Sequence, residues 1–125
     1  MPATIAAVKP GMLLAREGDK SLFKIAVDYL NANGKSLRGE PLGKYMTHGI
    51  GHHVGLEVHD PGLPQMPLEA GNVITIEPGI YIPEEGIGIR IEDMLLVTAD
   101  GARVLTEALP KEPDAIEKIL HARKK

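Results

Sequence analysis

His48, His52, His53 and His59 place four of the chain's five histidines within the thirteen residues from His48 to Asp60, and two glutamates follow in apolar settings. Glu77 comes directly after Val73-Ile74-Thr75-Ile76, and Glu92 after Ile87-Gly88-Ile89-Arg90-Ile91. Imidazole nitrogens and carboxylate oxygens are the donors divalent cations take from proteins. A cation would also offset the cost of carboxylates held among aliphatic neighbours. The residue types therefore point to metal-assisted chemistry.

The spacing of His48 and His52 matches the ends of the zinc-protease helix signature, but that motif needs a glutamate after the first histidine, and Gly49 stands there. Gly49 and Gly51 each disfavour a helix by about 1 kcal/mol relative to alanine. An extended segment is predicted, with His48, Ile50 and His52 on one face and His53 on the other. His52 is then the better ligand and His48 its neighbour in the same cleft.

Between the carboxylates, Pro83-Glu84-Glu85-Gly86 reads as a turn. If Pro83 faces Gly86, counting outward along both strands brings Glu77 opposite Glu92, with side-chain stems roughly 5 Å apart. Such a pair needs a proton or a cation between its members, and His52 nearby favours a divalent cation. Pro78 cannot donate to the ladder and is a place where a bulge would slip the register by one.

The elements that must position these groups are one helix and a set of short strands. Met1 to Gly11 reads as a lead-in or edge strand. A helix is predicted from about Leu13 to Asn33, beginning near Leu14 or capped by Asp19, with Leu22, Ile25, Ala26, Tyr29 and Leu30 as its apolar stripe and Gly34 ending it. Lys35 to Lys44 is a polar connection, Pro61 to Pro67 a proline-rich loop placed to shape a pocket. Met94 to Thr98 and Arg103 to Thr106 form a hairpin around Ala99-Asp100-Gly101. Pro113 to Ala122 is a short closing helix, with Arg123, Lys124 and Lys125 at its end.

At 125 residues the chain is one domain's worth, and its 43% hydrophobic content supports a modest core. With no Trp, one Phe and three Tyr, that core is aliphatic. A net charge of -3 with mixed signs provides no basic stripe for nucleic acid. The lack of cysteine excludes disulfides and thiolate zinc sites and fits a reducing compartment. No stretch is long enough to span a membrane, and the expectation is a soluble, cytoplasmic chain.

Taken together, His48-Gly49-Ile50-Gly51-His52, Gly55-Leu56, His59-Asp60, Thr75-Ile76-Glu77-Pro78-Gly79, Tyr81, Gly88 and Arg90-Ile91-Glu92-Asp93 resemble the pita-bread metallopeptidases (peptidase family M24). The chain is most similar to their Xaa-Pro aminopeptidase (aminopeptidase P) and prolidase branch. The resemblance runs from about Val8 to Glu117 and implies an α+β fold. It would be half of a pita-bread domain, a curved antiparallel sheet with one long helix packed on it and a short C-terminal helix.

It also implies two divalent ions, most often Mn2+ with Zn2+ or Co2+ as alternatives, and a metal-bridging hydroxide that attacks the peptide bond before proline. By motif, His52, Glu77 and Glu92 are metal ligands, and Glu77 also takes a proton. His48 and His59 line the substrate cleft and orient or protonate the amide, while Arg90 braces the ligands. The substrate would be a peptide with proline at its second position.

The family's two aspartate ligands precede the histidine motif and have no counterpart here, since Asp19 and Asp28 lack the accompanying strand pattern. The expectation is thus a single domain over residues 1–125, the second half of the catalytic unit with the N-terminal half absent. It would work with a partner that supplies the aspartates, or stand as a non-catalytic module with a reduced or empty metal site, or form a homo-oligomer. His53, His121 and Asp93 are read as structural.

Overall fold

In the computed structural model, which describes residues 2–122, the apolar N-terminus is a helix, α1 (Pro2–Ala7), where a lead-in or edge strand was expected. Proline presets the first-turn backbone angle. Six residues cannot hold a helix by propensity alone, and α1 is held by packing on the next helix, with Ile5, Ala7 and Val8 joining the core.

That helix, α2 (Leu22–Asn33), is shorter than its apolar pattern suggested. Residues 13–21 form a closed loop instead. The Leu13 N–H donates to the Lys20 carbonyl and the Leu22 N–H to the Leu13 carbonyl. Ser21, rather than Leu14 or Asp19, starts the helix: its Oγ accepts from the Lys24 N–H at 2.9 Å and donates to the Ala15 carbonyl at 2.6 Å. Leu22, Ala26 and Leu30 are buried, whereas Tyr29 of the expected stripe is exposed. Gly34 ends α2 in an extended rather than a left-handed conformation.

The expected connection from residue 35 ends in a tight helical turn, Leu42–Tyr45. Tyr45 is buried and its hydroxyl donates to Glu40 Oε2, while Lys44 Nζ sits 2.5 Å from Glu40 Oε1. These bonds, that of Lys44 first, hold the Glu40 carboxyl below the usual carboxylate range, and Glu40 in return raises Lys44 and Tyr45.

Five strands follow: β1 (Val73–Ile76), β2 (Gly79–Ile82), β3 (Ile87–Arg90), β4 (Asp93–Val97) and β5 (Ala102–Val104). β1 pairs with β4, β2 with β3 and β4 with β5, all antiparallel. The first two pairings share one register. Ile76 faces Asp93 on one side of the interruption and Gly79 faces Arg90 on the other, so Pro78 breaks the ladder without shifting it. Glu77 and Glu92 occupy facing positions in that gap, as counted from the turn. The turn itself is a short 3-10 segment (Pro83–Glu85) closed by Gly86, whose φ of 64° is left-handed and favours glycine.

The chain ends its described part in α3 (Pro113–Ala122). The expected basic end at Arg123, Lys124 and Lys125 lies outside the described residues. Leu22, Ile50, Leu68, Ile74, Ile76, Leu95 and Val97 make the centre of an all-aliphatic core. The architecture is α+β with antiparallel sheets. No helix among the described residues is long and apolar enough to cross a membrane.

Candidate metal centre

The histidine segment is extended but not a regular strand. It runs antiparallel beside β1 through three backbone bonds: Val54 N–H to the Val73 carbonyl (2.9 Å), Thr75 N–H to the His52 carbonyl (2.9 Å) and Glu77 N–H to the Ile50 carbonyl (2.8 Å). Gly51 permits the approach, because a Cβ there would lie 1.9 Å from the Thr75 carbonyl oxygen. The bond that an antiparallel pair would return from His52 N–H is redirected to the Thr75 side chain, at 3.0 Å from Oγ1.

Alternation sends His52 towards Glu77 and His53 towards the proline-rich loop, where its ring lies against Gly62. Ile50 does not share the setting of His48 and His52, as had been expected. It is fully buried in the aliphatic core, while both histidines remain partly exposed.

His52 Nδ1 is 2.9 Å from the His53 carbonyl, which can only accept, so Nδ1 carries the proton. In the neutral ring Nε2 then presents a lone pair, and it lies 3.4 Å from Glu77 Oε1. Two electron-rich atoms at that separation call for a cation between them or a second proton on the ring. Glu77 is buried. Its Oε1 accepts from the Thr75 hydroxyl at 3.0 Å, and its Oε2 is 3.7 Å from the half-exposed Arg90 guanidinium. The His59 ring packs on that of His52 with centroids 4.4 Å apart.

His48 is held separately. Nδ1 faces the Gly49 carbonyl at 2.8 Å, leaving Nε2 of the neutral ring to accept from the Tyr81 hydroxyl at 3.1 Å. Glu92 stands opposite Glu77 in the register yet is exposed, with no hydrogen bond or ion pair among the described residues. The expected convergence of one imidazole and two acids is thus met by two groups. No three His, Cys, Asp or Glu side chains among the described residues form a group that could hold a metal ion. The reason is local: the ladder lapses at Glu92, and its exposed carboxylate is left outside the paired strands. His52 and Glu77 fit a divalent cation in donor type and direction, though two donors are short of a full set.

Asp93, next in sequence, turns the other way. It is buried, accepts from the Thr106 hydroxyl at 2.6 Å and meets Lys111 Nζ at 2.9 Å. Lys111 also donates to the carbonyls of Thr106 and Leu109. This clamp fastens the segment after β5 to the start of β4. On the other flank, Pro64 and Gln65 of the proline-rich loop join Leu14, Arg16, Gly49 and Gly51 around an open depression of about 470 Å3.

Thr75 and Tyr81 bear on the site without having been assigned a role from sequence. Period-two spacing puts Thr75 on the face of Glu77 and could have marked it. Nothing local ties Tyr81 to His48, which lies 33 residues away.

Residues 1–99 match the model of metallopeptidase family M24. The chain is 48% identical over 87 aligned residues to human Xaa-Pro aminopeptidase 3, covering 61% of this chain and 17% of that protein. It is 39% identical over 143 aligned residues to Xaa-Pro aminopeptidase 1 of Streptomyces coelicolor, covering 98% and 29%. Escherichia coli aminopeptidase P with the inhibitor Pro-Leu superimposes with a TM-score of 0.72 at 31% identity, over 99% of this chain and 33% of that one. The chain spans less than a third of the length of these two relatives.

Proposed function

This chain belongs to metallopeptidase family M24, and we propose on that premise that it carries the histidine and glutamate part of a metal-dependent aminopeptidase centre that releases an N-terminal residue preceding proline. The observation that carries the reading is His52, whose Nδ1 is committed to a carbonyl while Nε2 faces the buried Glu77 carboxylate at 3.4 Å. His52, Glu77 and Glu92 would hold the divalent cation, with Mn2+ the first choice and Zn2+ or Co2+ alternatives. A pair of such ions, when bound, lowers the pKa of a shared water and polarises the scissile carbonyl.

The chain's own residues supply the rest. Glu77 has Oε1 tied to Thr75 and offers Oε2 as the proton acceptor for the attacking water. Arg90, 3.7 Å from Oε2, helps to orient that carboxylate. His48, fixed by Tyr81, and His59, whose ring is tilted against that of His52, orient the amide and return a proton to the leaving nitrogen. The depression bordered by Gly49, Gly51 and Pro64 is where a peptide would lie.

A second reading is favoured by the pairing of His52 with Glu77 alone: a non-catalytic half-domain that binds at most one ion. The exposed Ile87 and Ile89 of β3 and Ile91 just after it support association with a second copy or with a segment bearing the remaining ligands. Solution mass, Mn2+ content and cleavage of an Xaa-Pro dipeptide decide between them. Turnover that disappears in Glu92→Gln supports the peptidase. One bound Mn2+ per chain or none, without cleavage at any protein concentration, supports the module and overturns the peptidase.

A further inference from the structure

We infer that Thr75 is a positioning residue whose hydroxyl couples the backbone of His52 to the carboxylate of Glu77, setting the spacing of the two groups that face the proposed ion. The inference rests on the functional reading above. Thr75 is 1% exposed. Its Oγ1 lies 3.0 Å from both the His52 amide nitrogen and Glu77 Oε1. A carboxylate can only accept and an amide N–H can only donate, so the direction is settled: the hydroxyl proton goes to Glu77 and an oxygen lone pair receives the His52 N–H.

The relay does work that a strand does not need. Valine would suit a buried β position equally well, and the usual backbone partner of the His52 N–H would be the Thr75 carbonyl, not its side chain. Close approach at Gly51 sets the two chains near enough for this exchange. The Thr75–Glu77 bond restrains the carboxyl group about its last torsion. Oε1 is thereby held towards His52 Nε2, and Oε2 is left for Arg90 or a proton.

The test compares the chain with Thr75→Val, which preserves shape but removes the hydroxyl, and Thr75→Ser, which restores it. Two quantities are read: hydrogen exchange of the His52 amide in ion-free protein, and Mn2+ affinity by calorimetry. Valine should speed His52 exchange roughly five- to tenfold, the worth of one hydrogen bond, and weaken Mn2+ binding about 10- to 100-fold, as loss of a ligand's supporting partner does. Serine should recover most of both. Amides of Leu95 and Val97 in the core report whether each variant is folded.

Unchanged His52 exchange in the valine variant overturns the inference, as does a serine variant that behaves like valine while the core amides stay protected. If valine unfolds the chain, recovery by serine of both quantities supports it and failure to recover overturns it. Absence of Mn2+ uptake by the unaltered chain overturns the functional reading instead, and His52 exchange then decides the role of Thr75 alone.

Discussion

Gly51 passes so close to Thr75 that a Cβ on the glycine would lie 1.9 Å from the threonine carbonyl oxygen. No side-chain adjustment relieves an overlap with backbone, so Gly51→Ala must push the histidine segment away from β1. The bonds from Thr75 N–H to His52 and from Glu77 N–H to Ile50 would stretch. The expected cost is about 1–3 kcal/mol, the range for overpacking, read from the urea midpoint. Gly49 has nothing within 4 Å of its own built Cβ, and Gly49→Ala should stay within about 0.5 kcal/mol of the unaltered chain.

If His52 and Glu77 hold the ion as proposed, the stability of the chain is linked to that ligand. Mn2+ at 100 times its dissociation constant should stabilise the chain by about 2.7 kcal/mol, seen as a rise in thermal midpoint that a chelator reverses. His52→Ala and Glu77→Gln should each abolish the rise. A rise that persists in both would place the ion elsewhere.

Lys111 meets the buried Asp93 at 2.9 Å, with side-chain exposures of 24% and 6%. Among the described residues, removing the ammonium leaves the carboxylate with only the Thr106 hydroxyl. Lys111→Met should cost about 2 kcal/mol, below the ~3–5 kcal/mol of a fully buried pair because water reaches the lysine. Denaturant unfolding measures it, and Lys111→Met/Asp93→Asn should recover part of the loss.

The Glu40, Lys44 and Tyr45 cluster gives stability on two arms of pH. Glu40 is lowered, chiefly by its bond from Lys44, so its contribution is present above the ordinary glutamate range and is lost as pH falls through the lowered folded value. Lys44 and Tyr45 are raised, chiefly by their bonds to Glu40, so theirs is present below their ordinary ranges and is lost as pH rises through the raised values. Glu40→Gln should therefore lower stability uniformly near neutrality, with the difference from the unaltered chain shrinking below about pH 4 and above about pH 10. Stability measured across pH checks both arms.

Tyr81→Phe removes the donor that holds His48 Nε2. The variant should lose about 1 kcal/mol or less, and nitrogen NMR of His48 should show a changed hydrogen-bonding state at Nε2. If turnover is found, the loss should appear in kcat more than in KM, since His48 is proposed to act on the reacting amide.

Where local chemistry had no rival, sequence reading matched the structure. Pro83 and Gly86 set the turn, and the register counted from it holds on both sides of Pro78. It failed at chain ends and helix starts. An apolar run like that of α1 suits strand and helix alike, and packing on α2 decides. The periodicity before Ser21 was overridden by the loop bonds between Leu13, Lys20 and Leu22.

By itself the sequence determined which residues are proposed as donors, the strand pairing that sets Glu77 against Glu92, the aliphatic core and the family resemblance, because each follows from residue type and short-range spacing. Only the tertiary structure decided that Glu77 turns inward to His52, Thr75 and Arg90 while Glu92 stays in solvent, and that Tyr81 holds His48. Those outcomes depend on which side chains meet across separate segments and on where a buried charge finds its partners, and neither is written in any local stretch of the chain.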